Sequence, residues 1–191
     1  MAKILVFNSV SLDGYFTDAN NDMSWAHKDP NDAEWSAFVS ENASGGTAGG
    51  GAILLGRITY DMMAGFWPTP AAMEMMPEVA KGMNEMTKIV FSRSMKKAAW
   101  SNTKLVKGDL VGEVRKLKKS DQDMVILGSG TIVSQLTQAR LIDAYQLVVV
   151  PIVLGKGRTM FEGVKDRMNL KRTNSRSFKN GNVVLSYEPT M

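Results

Sequence analysis

Five short, nearly continuous apolar runs punctuate the chain, at residues 4–7, 52–55, 88–91, 124–127 and 145–150. Runs of this length that are apolar on both faces suit strands buried in a parallel sheet with helices on either side. Helical spacing lies between them. Trp35, Phe38 and Val39 share one face of residues 31–42, behind Pro30, with Asn31 as the expected N-cap and Glu34 three residues on. After Asp109, Leu110, Val111, Val114 and Leu117 form an apolar face, with Arg115, Lys116, Lys118 and Lys119 expected off it in solvent. Ile132, Val133 and Leu136 repeat the pattern after Thr131. Strands alternating with helices predict an α/β fold with right-handed crossovers. The pattern differs towards the end of the chain, where Asn180 and Gly181 separate two extended segments, 172–178 and 183–187, which predicts a type I′ hairpin. A mainly parallel sheet should therefore finish with antiparallel strands.

No internal repeat and no long linker divides the 191 residues, so the chain is read as one domain. Residues 44–51 are glycine-rich and are expected to form a flexible loop before a buried strand. Residues 62–86 hold seven of the 14 methionines, at 62, 63, 73, 75, 76, 83 and 86. They read either as filler of an irregular core and a surface helix, or as an adaptable substrate wall or dimer face. The first apolar run is too short for a signal peptide, and the stretch from Leu147 to Leu154 is broken by Pro151, well short of the roughly 20 residues of a membrane span. A cytoplasmic protein with no membrane partner is expected.

Hydrophobic residues make up 44% and charged residues 22%, an ordinary globular balance. There is no cysteine, and His27 is the one histidine. Disulfide scaffolds, cysteine-based zinc sites and thiol nucleophiles are excluded, as is a Ser-His-Asp triad built on any other histidine. His27 itself reads as a solvated loop residue or hydrogen-bonding partner. The net charge of +4 hides a local excess: Lys and Arg against Asp and Glu number 4 to 11 in residues 1–87, 10 to 2 in 88–119, and 9 to 6 in 120–191. An anion near the middle of the chain would explain the basic segment. Nucleic acid is not the expected partner, because the segment offers Trp100 as its one exposed aromatic and no binding motif.

Three turns at the ends of predicted parallel strands seek anions. Gly128-Ser129-Gly130-Thr131 opens a helix, where glycines admit a ligand to the backbone and free N–H groups face a phosphate. It is neither G-x-G-x-x-G nor a P-loop, and alone it could be a simple tight turn. In Gly56-Arg57-Ile58-Thr59, Arg57 can fork onto a phosphate or be an ordinary surface arginine. Ser92-Arg93-Ser94 suits a phosphomonoester such as the 2′-phosphate that distinguishes NADP from NAD. Ligands of open α/β sheets bind on the carboxyl edge of the strands, so the three together favour a dinucleotide. A fourth turn, Ser11-Leu12-Asp13-Gly14, follows the first strand.

Ser11-Leu12-Asp13-Gly14, Leu54-Leu55-Gly56-Arg57-Ile58-Thr59-Tyr60, Ile89-Val90-Phe91-Ser92-Arg93, Leu127-Gly128-Ser129-Gly130 and Pro151-Ile152-Val153-Leu154-Gly155-Lys156-Gly157 occur in order along the chain. This sequence of motifs resembles the dihydrofolate reductase-like superfamily, in particular the C-terminal reductase domain of the bifunctional riboflavin-biosynthesis deaminase-reductase, as a stand-alone member. The resemblance implies a three-layer α/β fold, a mixed, mainly parallel sheet of about eight strands, a homodimer, and NADPH bound across the strand ends. It implies that Gly56, Arg57 and Thr59 hold phosphates and that Ser92 and Arg93 hold the 2′-phosphate. Gly128, Ser129, Gly130 and Thr131 would seat the pyrophosphate, with Ile132 completing the cofactor set. Ser11 and Gly14, in the loop over the nicotinamide, and Leu154 and Gly155 would face a small-molecule substrate. Asp13 is the candidate catalytic residue, with a bound water as the other open choice of proton donor.

The implied activity is hydride transfer from NADPH to a C=N or C=O bond of a small heterocycle, as in reduction of 5-amino-6-(5-phosphoribosylamino)uracil. A regulatory NADP-binding module without turnover and a dihydrofolate reductase are the alternatives. Against the latter, Asp32 and Glu34 read as helix-start residues in place of a pterin-binding acid. The deaminase half of the bifunctional enzyme needs a Cys/His zinc site and is excluded. Lys156 and Arg158 either bind a substrate phosphate or are solvated.

Overall fold

The structure, a computed structural model, describes residues 1–26, 32–42 and 51–190. The expected N-cap Asn31, His27 and residues 44–50 of the glycine-rich segment lie outside the described residues.

In chain order the elements are β1 (Ile4–Ser11), β2 (Tyr15–Asp18), α1 (Ala33–Glu41), β3 (Ala52–Gly56), α2 (Arg57–Ala64), α3 (Pro70–Met75), α4 (Pro77–Glu85), β4 (Thr87–Phe91), β5 (Thr103–Val106), α5 (Leu110–Leu117), β6 (Met124–Leu127), α6 (Gly130–Gln138), β7 (Ala144–Val150), β8 (Gly157–Thr159), β9 (Leu170–Ser177) and β10 (Val183–Pro189). Eight strands form one sheet in the order β5-β4-β3-β6-β1-β7-β10-β9, and β2 pairs with β8 in a separate ribbon. From β5 to β7 every pair is parallel, whereas β10 is antiparallel to both β7 and β9. All five apolar runs are strands of this sheet. The four residues from Ala52 to Leu55 are wholly buried, as a strand covered on both faces must be.

Alternate residues of the strands point to opposite layers. On one face Ile4, Val6, Leu54 and Ile126 pack with Leu110 and Val114 of α5 and with Ile132, Val133 and Leu136 of α6. On the other, Ile53, Leu55 and Val90 meet Tyr60 of α2 and Val79 and Met83 of α4. Farther along that face Val148, Val150, Val184 and Phe178 meet Trp35 and Phe38 of α1. The helix starts follow from their caps. Asp32, and not Asn31, caps α1, its side chain accepting from Trp35 N at 3.0 Å. Asp109 caps α5 from Gly112 N at 2.8 Å.

The methionine-rich segment folds as α2, α3 and α4. Met83 is buried and Met63, Met76 and Met86 pack against its cluster, while Met62, Met73 and Met75 are exposed. The hairpin turn differs from the type I′ expectation. Gly181 N donates to Phe178 O at 3.0 Å and Phe178 N to Asn182 O at 2.9 Å. Gly181 has φ +87° and Asn180 is not in the left-handed region, which is the three-residue loop with a glycine bulge.

Three side chains of the basic segment are inside. Trp100 is 5% exposed, its indole Nε1 donating to Asn84 Oδ1 at 2.7 Å and its backbone N to the Tyr60 hydroxyl at 2.9 Å. It is no platform for a nucleic-acid base. Lys118 is also buried, bonded to Leu141 O at 3.0 Å and paired with Asp143, so it does not belong to the solvated face of α5.

Lys88 is fully buried in β4, donating to Met83 O at 3.0 Å and Asn84 O at 2.9 Å beneath the C-terminus of α4, with the Trp100 ring 4.3 Å away. Burial pushes its ammonium down to about 8. Between that value and the ordinary 10.5, the unfolded chain holds a proton that the folded chain has released, so stability rises with pH across this window. At about 1.4 kcal/mol per pH unit the gain is on the order of 3 kcal/mol. Urea unfolding at pH 7.5 and 10 should show it in the wild type, and Lys88→Met should remove the difference. Equal slopes in the two proteins would refute the assignment.

Candidate functional site

Because β1, β3, β4, β6 and β7 run parallel, the turns that leave them gather on one edge of the sheet. The turns after β3, β4 and β6 are the three anion-seeking segments, and the turns after β1 and β7 carry Asp13 and Leu154-Gly155. The strand order places β6 and β3 on one side of β1 and β7 on the other. The edge beside β1 is thus the point where the chain's progression across the sheet reverses, where such sheets bind ligands.

The turns after β3 and β6 are in contact. A β-carbon on Gly56 would lie 2.5 Å from Ser129 Oγ, and one on Gly128 would lie 3.3 Å from Thr59 Cγ2. Ser129, the N-cap of α6, is left-handed (φ +68°, ψ +75°) and its side chain makes no capping bond. The first N–H groups of α6 therefore have no intrahelical acceptor and no side-chain cap. Ile132 is not a lining residue: its side chain is buried beneath the turn and its N–H donates to Ser129 O at 2.9 Å. Thr131 is exposed at the start of the helix. Arg57, first residue of α2, is half exposed and pairs with Asp61 at 3.3 Å one turn on.

After β4, Ser92 N donates to Val106 O at 3.0 Å and Ser92 Oγ accepts from Met95 N at 3.0 Å, which fixes the turn. Arg93, Ser94, Lys96 and Lys97 are exposed around it. This is the accessible part of the basic segment.

Asp13 joins the turns after β1 and β7. Its Oδ1 accepts from Ser11 Oγ at 2.6 Å and from Leu154 N at 3.1 Å, and its Oδ2 accepts from Gly155 N at 2.7 Å. Ser11 Oγ accepts in turn from Tyr15 N at 2.9 Å, and Leu12 N donates to Ile152 O at 2.8 Å. The hydroxyl of Ser11, with help from the two backbone N–H groups, holds the Asp13 carboxyl below the usual carboxylate value of 3.8. Asp13 stands as an ionised acceptor at neutral pH.

The β2–β8 ribbon lies across the same edge. Phe16 of β2 packs so closely on the start of α6 that a β-carbon on Gly130 would sit 2.7 Å from its ring. The Arg158 guanidinium lies 5.9 Å from the same ring, exposed to solvent, and Lys156 is exposed as well. Below the ribbon, buried Asn8 of β1 donates to Met160 Sδ at 3.1 Å. Sequence reasoning missed the ribbon, and a polar residue in an otherwise apolar first strand was its one visible trace. In α1 both Asp32 oxygens are engaged, one by Trp35 N and the other by Asn180 Nδ2 at 2.8 Å, and Glu34 pairs with Arg176 at 3.8 Å. Among the described residues no cluster of acidic or histidine side chains could hold a metal ion, and no helix is long and apolar enough to cross a membrane.

An α/β sheet of this order, with glycine-lined turns meeting on its carboxyl edge, defines the dihydrofolate reductase-like class of folds. The solved dihydrofolate reductase of Enterococcus faecalis, complexed with NADP(H), superposes with a TM-score of 0.63 at 15% identity, covering 99% of this chain and 97% of that one. A family model, the RibD C-terminal domain, matches residues 2–184, and the chain belongs to that family. A solved protein described as a putative riboflavin biosynthesis protein, from a Shewanella species, is 22% identical with a TM-score of 0.75, each chain covered completely. The protein YyaP of Bacillus subtilis is 28% identical over 186 residues, which is 97% of this chain and 94% of that one. Family and fold together make this an oxidoreductase domain of the reductase-like kind.

Proposed function

We propose that the protein is an NADPH-dependent reductase acting on a C=N or C=O bond of a small heterocyclic substrate. The observation that carries the reading is the contact between Gly56 and Ser129, which leaves the free N–H groups of α6 and the Arg57 guanidinium beside one glycine-lined cradle. A phosphodiester fits that cradle, since side chains at Gly56 or Gly128 would fill it and the helix start favours negative charge. Gly56, Arg57 and Thr59 would hold phosphates, Gly128 to Thr131 the pyrophosphate, and Ser92 and Arg93 the 2′-phosphate. The cofactor supplies the hydride when bound.

The chain's own residues bind, orient and exclude water. Phe16 covers the start of α6 from solvent. Asp13 acts as a positioning residue, tying the turn after β1 to the turn after β7, between which a substrate next to the hydride donor would lie. An ionised Asp13 with three donors does not deliver a proton, so a water at the edge is the proposed donor. Dihydrofolate is a poor candidate substrate, because Asp32 and Glu34 are occupied within the fold.

Fluorescence titration tests the reading. NADPH should bind much more tightly than NADH, and Arg93→Ala should erase most of the difference, an expected loss of roughly 30-fold for a charge-assisted contact of about 2 kcal/mol. Equal affinity for the two cofactors would overturn it. Tight NADPH binding without oxidation by any acceptor would favour the regulatory alternative.

A further inference from the structure

Asn182 is fully buried, and neither its Oδ1 nor its Nδ2 has a hydrogen-bond partner. The turn does not need that side chain. Asn182 N donates to Asn180 Oδ1 at 2.9 Å, its carbonyl accepts from Phe178 N, and the hairpin tip is attached to α1 through Asn180 Nδ2 and Asp32. An unpartnered buried carboxamide opposes folding, and native structures rarely keep one without a reason. An apolar residue would suit the surroundings better: Asn182 stands two residues before Val184, so strand alternation puts it on the face where Val184 meets Trp35, Phe38 and Phe178.

Its position suggests the reason. Val183 pairs with Val149, so Asn182 lies level with the end of β7, on the carboxyl edge. The three anion-seeking turns all lie on the β6, β3 and β4 side of β1, whereas Asn182 lies on the other side, beyond β7. A dinucleotide spread over those turns brings its reactive end to β1, which leaves the β7–β10 side for the molecule to be reduced.

We infer that Asn182 is a specificity-determining residue whose carboxamide pairs with a cyclic amide edge, an adjacent C=O and N–H, of the substrate heterocycle. The inference rests on the proposed reductase reading and supplies its substrate class. A primary amide offers a donor and an acceptor in one plane, the complement of a lactam edge. Since the side chain has no exposure here, entry requires the hairpin tip to part from α1 at the Asn180–Asp32 bond. Flat aromatic residues, Trp35 and Phe178, are then at hand for the ring to pack on.

The test uses 2-pyridone, a minimal lactam, and N-methyl-2-pyridone, which lacks the donor, with saturation-transfer NMR on the NADP+-loaded protein. The wild type should prefer 2-pyridone at least tenfold, and Asn182→Leu should remove that preference while its melting temperature stays the same or rises. Asn182→Asp, which keeps the shape but loses the donor, should also lose the preference. No preference in the wild type, an unaltered preference in either variant, or a large fall in the melting temperature of Asn182→Leu would overturn the inference, the last by showing that the amide is structural. NADPH titration of the same samples separates the two levels: normal NADPH binding with a failed lactam test removes only Asn182's role, whereas absent NADPH binding removes the reductase reading.

Discussion

Gly157→Ala is expected to lower the melting temperature by roughly 5–15 °C and to detach the β2–β8 ribbon. A β-carbon at Gly157 would lie 2.1 Å from the carbonyl oxygen of Thr17 and 3.2 Å from the α-carbon of Asp18. Both obstacles are backbone, so no side-chain rotation relieves the clash and the two strands must separate. Overpacking of this kind costs about 2–4 kcal/mol, and a chain of this length shifts by about 2–4 °C per kcal/mol. The effect should also be local, because the ribbon pairs only over residues 15–18 and 157–159. Hydrogen exchange should accelerate there before it does in the central strands. With the ribbon released, Phe16 leaves the start of α6, and NADPH affinity should fall about tenfold or more as water reaches the phosphate seat. Gly163→Ala is the control: its φ of +81° is equally unfavourable for alanine but nothing lies within 4 Å of the added carbon. If the two variants melt alike, backbone strain and not the close strand approach limits this position. A melting temperature within a degree of wild type would refute the role given to Gly157.

These contacts also mark where the sequence stops being legible. The central strands were readable because burial on both faces makes them continuously apolar, as in the run from Ala52 to Leu55. β9 followed a different rule: all eight of its residues are exposed, so its polar, cationic sequence shows no alternation, and only the turn at Asn180 and Gly181 announced it. β5 is short and half-buried, and β2 and β8 have four and three residues, too few for any periodicity to emerge. Lys88, Lys118 and Trp100 read as surface residues because their partners come from elsewhere in the chain. The carbonyls at the end of α4, Asp143 and Asn84 are what make their burial tolerable. In the site, the glycine and arginine turns were visible one at a time, since each has its own local signature. Their meeting was not, for Gly56 and Ser129 touch only because β3 and β6 are sheet neighbours. Asn182 gave no signal beyond its part in a turn, because an orphaned amide can be recognised only when everything around it is placed.

Asp13 presents the same problem over a longer span, and its removal should have the second large effect. Its carboxylate oxygens bind N–H groups 141 and 142 residues away, so no local pattern could distinguish the clamp from a simple Asp-Gly turn. Asp13→Ala should accelerate exchange of the Leu154 and Gly155 amides by about 100-fold, since an exposed carboxylate was their acceptor and water replaces it readily. NADPH affinity should change less than threefold, because the phosphate seat is built by other turns. Any turnover should fall by roughly 100-fold, the scale expected when the loops that orient a substrate lose their alignment. Asp13→Asn distinguishes a clamp from an acid. Asparagine keeps one acceptor, so partial protection at Leu154 or Gly155 should survive if Asp13 only positions the loops, whereas a proton-donating Asp13 would leave Asn and Ala equally inactive. The pH dependence gives the same distinction a sign. With its folded pKa held below the ordinary 3.8, Asp13 contributes its clamping bonds at every pH above that value and loses them as acid titrates it. Amide protection at Leu154 and Gly155 should therefore be level from pH 5 upward after correction for intrinsic exchange, and collapse only in stronger acid. A collapse near neutral pH would mean that the carboxyl holds its proton there, and Asp13 would return to being the catalytic acid.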